Sequence, residues 1–491
     1  MPTGFHCRLV AGVRVVRERG RAFLVAEQPL TLLEVADRGR RLLERARCAT
    51  VFSDLPAAEL RFLGRLRELG LVEFRPVASE TPPTVSVIVP VRDREQQLAR
   101  CLRSLERLHQ PGDGLEVIVA DDGSAVPVTA PAGVRVVRSA RPAGPAAARN
   151  LAASAAGGDV LAFLDSDCTA EANWLEALLP EFADPEVAAV GGRVRAAREQ
   201  TWLERYDAVR SPLDLGWRYA QVRPRHPVSY LVTANLLVRR ADFDRVRGFD
   251  PDLRCGEDVD LAWRLVEAGR RVVYQPLGTV LHEHRSRPWE FLATRAGYAA
   301  SEAALLRRHP GNGRFVGFSP GMAALLAGGL AVLLGAPRAL VAAAGLALTV
   351  EVGGAARTLR RAGLPPGLAL AVTVRGQAWS LYHPARQLAR YSLLPAILLC
   401  LGAPRRRRAR LLLGLGTAIA APSVADWYRL RPSLSLGGHV VAQLLDDVAY
   451  HAGTLRGCLR ERTLAPLAAR VRLAHWRKRR ASESASSRSL T

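Results

Sequence analysis

The chain has 491 residues, 49% of them hydrophobic, 23% charged and 6% aromatic, with a formal net charge of +23. That length accommodates two to four domains, and the apolar content rules out a disordered tail protein, a collagen or a disulfide miniprotein. The charge is carried by arginine, with Lys478 the sole lysine, and is not gathered with aromatics on one face, so nucleic acid is not an expected partner.

Residues 1–78 read as a small N-terminal α+β domain. Strands are expected at Gly12–Arg17 and Ala22–Ala26, helices at Leu30–Arg47 and Ala57–Leu69, and a short strand at Val72–Phe74. Met1–Gly20 lacks the apolar run of a signal peptide. After a linker with Pro82 and Pro83, residues 84–310 alternate short apolar strands (Val85–Val89, Glu116–Ala120, Val160–Leu164) with helical stretches (Leu98–Leu108, Ala146–Ala155, Trp174–Phe182). That alternation predicts an α/β core with a mostly parallel, Rossmann-like sheet. Residues 317–475 are apolar and helical, with runs at Met322–Gly335, Leu340–Val350, Leu393–Leu401 and Leu411–Ala421. Each is shorter than the roughly 20 residues of a full span, but Arg357, Arg360, Arg361 and Arg405–Arg410 fall where cytoplasmic loops carry arginine. The expectation is association with the cytoplasmic membrane, the catalytic domain on the cytoplasmic side; a soluble Ala/Leu bundle is the alternative. Residues 481–491 are serine-rich and expected to be disordered. Seven scattered cysteines with no Cys-x-x-Cys pair fit a reducing compartment.

Five motifs of polar and charged residues sit at the ends of the predicted core elements. Val87-Ile88-Val89-Pro90 runs into Arg92 and Asp93, where the carboxyl edge of an open sheet meets its ligand. Asp121-Asp122-Gly123-Ser124 closes the next strand and can take ribose or base hydrogen bonds, or simply form an Asp-Gly turn. Asp165-Ser166-Asp167 follows a wholly apolar strand, and carboxylates at i and i+2 on an extended chain face one side, the arrangement for a Mg²⁺ or Mn²⁺ ion. Gly256-Glu257-Asp258 opens a helix; Asp258 is placed as a general base toward an acceptor hydroxyl and Glu257 as an acceptor contact, although acidic residues favour a helix start in any case. His282-Glu283-His284 offers one imidazole to a metal shell, with either histidine eligible. Arg149, in Gly144-Pro145-Ala146-Ala147-Ala148-Arg149-Asn150, can neutralise a diphosphate, and Asn235 is an acceptor-side candidate.

Taken in order, these motifs, with Gly248-Phe249-Asp250 between them, resemble family 2 glycosyltransferases of GT-A fold over residues 84–310. The segments 144–150, 162–167, 208–216 and 256–265 are similar, more narrowly, to the mycofactocin-system branch of that family. The resemblance implies that Pro90, Arg92, Asp93, Asp121, Asp122, Arg149 and Asp165 serve the donor. It implies that Asp165, Asp167 and His282 or His284 hold Mg²⁺ or Mn²⁺, and that Asp258 is the catalytic base of an inverting transfer. The implied donor is UDP-glucose and the implied acceptor is mycofactocin, a peptide-derived redox cofactor, or its precursor, extended as a β-glucan chain. A membrane-bound enzyme acting on a lipid-linked or cell-surface polysaccharide shares the same residues. The chain departs from many relatives in carrying Arg92-Asp93 where they have Tyr-Asn. Residues 1–78 resemble, more faintly, winged-helix PqqD-like peptide-recognition modules.

Overall fold

The computed structural model of the protein describes residues 4–10, 13–18, 21–27, 30–47, 51–53, 55–69, 71–76, 82–109, 115–361 and 365–473. The tail at 481–491 and the first part of the linker lie outside these residues. In the N-terminal unit, Gly4–Leu9 pairs with Val51–Ser53 and Val72–Pro76, and Arg21–Glu27 pairs with Val13–Glu18 and Leu30–Val35, all antiparallel. Helices Asp37–Arg47 and Ala57–Glu68 complete a core of Cys7, Leu24, Val35, Leu43, Leu63 and Leu66. The helix expected from Leu30 starts only at Asp37. Residues 30–35 form a strand instead, because pairing with residues 22–27 satisfies their backbone groups and overrides local propensity.

The central sheet explains where the motifs end up. Its order is Cys168–Ala170, Arg271–His282, Val187–Ala196, Leu236–Arg239, Val160–Phe163, Val85–Val91, Leu115–Asp121, Val134–Arg138. Val160–Phe163, Val85–Val91, Leu115–Asp121 and Val134–Arg138 are parallel neighbours, while Leu236–Arg239 runs against both its partners. Parallel strands covered on both faces must be apolar throughout, and Val85, Val87, Ile88 and Val89 are all buried to 1% or less. The two strand-like pieces read at Arg271–Tyr274 and Thr279–Leu281 are one strand, Arg271–His282, which changes register against Val187–Ala196 after Gln275. Three parallel strands therefore end side by side at Val91, Asp121 and Phe163, and their loops form one crevice.

Helix Pro288–Arg308 leads out of this core into helices Pro320–Leu333, Ala339–Arg361, Pro366–Tyr391, Leu393–Gly402, Arg405–Leu430 and Leu436–Glu461. Arg405–Arg408 are not in a loop: arginine is a good helix former, and they make the first turns of the helix that runs to Leu430. The last helix lies directly on Pro288–Arg308. A Cβ at Gly453 would stand 2.2 Å from the Ala296 carbonyl oxygen and one at Gly457 2.4 Å from that of Ala300, so only glycine permits this approach. A buried ion pair fastens the same contact, Arg295 to Asp446 at 3.3 Å, and helix Trp202–Arg210 joins it through Asp207, paired with Arg295, and the Tyr206 hydroxyl, which donates to Asp446 at 2.9 Å.

Candidate active site

The crevice opens into a chamber of about 1240 Å³ that Pro90, Arg92, Asp122, Asp165, Asp167 and Asp258 all line. The metal-side carboxylates and the candidate base thus share one cavity.

The donor end is built from strand-end loops. Asp122 accepts from the backbone N–H groups of Ala143 (2.7 Å) and Gly144 (3.0 Å), joining its loop to the start of helix Pro145–Ala155. Asp121 does not reach the chamber wall. It is 1% exposed and is used up by the N–H groups of Ser124 (2.8 Å) and Val128 (3.3 Å) and by Arg138, so it shapes the loop beneath the site. Asp93, with φ +53°, likewise accepts from Ala125 N–H at 2.7 Å and braces the loop, while Pro90 and Arg92 face the cavity.

Asp165 and Asp167 lie beyond the strand end at Phe163, so strand alternation does not orient them. Asp165 turns to Arg149, which donates to it at 2.6 Å and to Glu257 at 2.8 Å. This buried guanidinium is clamped between two carboxylates, and Glu257 is thereby committed to Arg149. Asp167 turns the other way. Its Oδ2 receives Arg94 (2.5 Å) and Arg285 (3.3 Å), and its Oδ1 stands 3.4 Å from His282 Nε2. Burial works against the charge, yet His282, Arg94 and Arg285 hold Asp167 below the usual carboxylate range.

Among the described residues, Asp167, Cys168 and His282 offer ligand atoms within 4.8 Å of one another. Burial above all, and then the neighbouring carboxylates, push the Cys168 thiol far up, so it stays protonated and the donors left are the Asp167 carboxylate and the His282 imidazole, with Asp165 also lining the chamber. Oxygen and imidazole donors of this kind suit a hard divalent ion such as Mn²⁺, so the residues present fit the expected group. His284 sits behind His282, Nδ1 to Nδ1 at 3.2 Å, off the main chamber. Burial, then His282 and Arg295, push it down to about 2, leaving it neutral.

Helix Glu257–Glu267 starts from Gly256 at φ +85°, a conformation that glycine adopts without strain. Asp258 in its first turn accepts from Val259 N–H at 2.8 Å and, more weakly, from Thr233 N–H at 3.4 Å. Burial, reinforced by the Glu257 charge, pushes Asp258 up to about 7, where a carboxylate can take a hydroxyl proton at neutral pH.

Asn235 is not on the wall. It is wholly buried, accepting from Trp174 Nε1 (2.7 Å) and donating to the carbonyls of Arg193 and Gly278 (3.0 Å each); Thr233 and Ala234 line the chamber in its place. Reading the sequence missed Arg94 and Arg285, and it missed the far wall altogether. Tyr298, Glu302, Arg314, Gln387 and Tyr450 face the cavity from helices and a strand-edge loop that no motif marks.

Comparison with known proteins accords with this geometry. The profile described as Glycosyl transferase family 2 matches residues 86–247. The pre-mycofactocin glycosyltransferase of Mycobacterium tuberculosis is 36% identical over 487 residues, covering 96% of this chain and 99% of that protein. Glycosyltransferase AglE of Haloferax volcanii is 29% identical over 224 residues, 43% of this chain and 70% of that one. The solved mannosyltransferase PcManGT of Pyrobaculum calidifontis superposes with a TM-score of 0.40 at 17% identity, covering 75% of this chain and 88% of that one. A relative alike from end to end, and a family profile lying on the strands that carry the site, lead to one conclusion: the chain is a glycosyltransferase of family 2 and belongs to the family of the pre-mycofactocin glycosyltransferases.

Proposed function

We propose that the protein transfers glucose from UDP-glucose, with inversion, to mycofactocin or its peptide-derived precursor, and extends the product as a β-glucan. The observation that carries this reading is the common chamber of Asp165, Asp167 and Asp258, on a chain alike over its whole length to a pre-mycofactocin glycosyltransferase. Pro90, Arg92 and Asp122 border the nucleoside, while Asp93 and Asp121 hold their loops. Arg149, fixed by Glu257 and Asp165, meets the diphosphate. Asp165, Asp167 and His282 would hold Mg²⁺ or Mn²⁺, with His284 bracing His282. When bound, the ion offsets charge on the departing nucleoside diphosphate. Asp258 removes the proton from the acceptor hydroxyl as its oxygen attacks the anomeric carbon from the face opposite the leaving group. One displacement turns an α-linked donor into a β-glycoside.

Two further assignments belong to this reading. Helix Ala339–Arg361 has 23 residues and a mean hydropathy of 1.7 over its most apolar window, with little of it buried, and Leu399 and Leu413 are 76% and 73% exposed on neighbouring helices. This apolar surface supports attachment to the cytoplasmic membrane, with the catalytic core in the cytoplasm. In the N-terminal unit, Val13–Glu18 and Leu30–Val35 each have one strand partner among the described residues. An extended peptide adds to such an edge, which supports a PqqD-like part in receiving the precursor.

The test is mass spectrometry of the product formed by purified protein from labelled UDP-glucose and, in parallel, mycofactocin precursor and a lipid-linked glycan. Hexose added to the precursor alone supports the reading; hexose added only to the lipid-linked glycan overturns it.

A further inference from the structure

The chamber is larger than donor binding requires. Sites for small ligands run to about 300–1,000 Å³, and this one, at about 1240 Å³, is lined by Tyr298, Glu302 and Tyr450 as well as by the motif residues; the part they line is called its second lobe. Helix Pro288–Arg308 supplies one wall of that lobe: Tyr298, Ser301, Glu302 and Leu305 recur at helical spacing and all face the cavity. Tyr450, from helix Leu436–Glu461, faces them.

Glu302 is the polar centre of this lobe. The hydroxyls of Tyr391 (2.8 Å) and Tyr450 both donate to its Oε1. Its Oε2 has no partner among the described residues, although the side chain lines the cavity. An acceptor oxygen held firmly on one side and open on the other is a ready site for a ligand N–H or O–H. It lines the same chamber as Asp258. Tyr230, also on the chamber wall, has its hydroxyl pushed up to about 12 by burial and then by Asp258, with Arg390 and Arg295 opposing and Glu302 adding a smaller push. The Tyr391 and Tyr450 rings stand beside Glu302, and Trp263 and Tyr298 also line the chamber. A free carboxylate oxygen beside aromatic rings is the chemistry that holds a sugar ring, hydroxyls to the oxygen and C–H face to the ring.

We propose that Glu302 binds the acceptor, taking a hydroxyl of a sugar already attached to it, so that the C-terminal helices supply the subsite for the growing glycan. This rests on the glucosyltransferase reading and extends it to the product chain. The wall is set in advance by the Gly453 and Gly457 contacts and by the Arg295–Asp446 pair, so the subsite does not need the acceptor to assemble it.

The experiment uses the full chain, wild type against Glu302→Gln and Tyr450→Phe. Glu302→Gln keeps the shape but turns an acceptor oxygen into a mixed amide; Tyr450→Phe removes one of the two hydroxyls that orient the carboxylate. Three quantities are read: affinity for UDP with Mn²⁺, KM and kcat for a singly glucosylated acceptor, and cellobiose binding to the UDP-loaded protein by calorimetry. Glu302→Gln is expected to raise the acceptor KM and the cellobiose Kd at least tenfold, and Tyr450→Phe about threefold, with UDP affinity unchanged. Equal cellobiose binding in wild type and Glu302→Gln overturns the assignment, as does a rise in KM accompanied by an equal loss of UDP affinity. Failure of the parent reading is seen separately, as absence of transfer from UDP-glucose by the wild type, and the cellobiose measurement still decides the role of Glu302.

Discussion

Replacing Asp258 with Asn separates two effects of one carboxyl group, and the structure sets the sign of each. The side chain accepts from Val259 N–H at 2.8 Å, a bond the Asn carbonyl retains, and its contact with Thr233 N–H is long at 3.4 Å. Local structure therefore survives the change. The loss of the base removes the proton acceptor for the attacking hydroxyl, which is worth about 10²–10⁴ in rate, or roughly 3–5 kcal/mol of barrier. Stability moves the other way. A carboxyl raised from its ordinary 3.8 to about 7 keeps its proton in the folded state while the unfolded chain ionises, so folding loses free energy as pH climbs from 4 to 7 and no more above that. The cost at pH 8 is up to about 4 kcal/mol, and Asn, which never ionises, avoids it. Asp258→Asn is thus expected to lose at least a hundredfold in kcat and to melt several degrees higher at pH 8, the gain fading toward pH 4. The assays are single-turnover transfer at saturating donor and calorimetric melting across that pH range. In the wild type, kcat/KM rises with pH through about 7, as the base deprotonates. Turnover within tenfold of wild type, or a melting point at pH 8 no higher than wild type, refutes the reasoning.

Other perturbations test other parts of the structure. Asp167→Ala is expected to weaken Mn²⁺-dependent UDP binding at least tenfold by titration; equal affinity with and without the ion would remove Asp167 from the metal site. Gly457→Ala forces its methyl against the Ala300 carbonyl at 2.4 Å, an overpacking cost of about 1–3 kcal/mol, whereas Gly376→Ala meets nothing within 4 Å and should be neutral or slightly stabilising, both read from melting curves. Replacing Leu398, Leu399 and Leu413 together with Glu should shift the protein from the membrane pellet to the supernatant on fractionation, because these exposed side chains carry part of the apolar surface.

The parts legible in the sequence are those whose physics is local. An unbroken apolar run such as Val85–Val89 is read as a buried parallel strand because both its faces are covered, and the motifs that follow such runs land at one sheet edge. Asp258 at a helix start and Asp167 after a strand needed no more than that. What escaped depends on long-range pairing. Val187–Ala196 lies between partners from Leu236–Arg239 and Arg271–His282, and Leu30–Val35 became a strand only because Arg21–Glu27 was there to pair with it. Nothing local marks Asn235 as structural, and the three bonds that consume it reach residues 42 to 61 positions away. The pairing of Glu257 with Arg149 escaped for the same reason, its partner lying 108 residues earlier. Glu302 and Tyr450 are separated by 148 residues, and no spacing rule joins them.

The far wall of the chamber comes from a stretch of chain that begins after the catalytic helix has ended. In the proposed mechanism the residues assigned to the donor precede residue 286, while Tyr298, Glu302, Arg314, Gln387 and Tyr450 on the far wall follow residue 297. Evolution can therefore rewrite the second stretch, changing what is decorated, while inheriting the chemistry of the first intact. The same division warns the protein engineer that a fragment trimmed at residue 286 would lack the side of the chamber that the later helices supply.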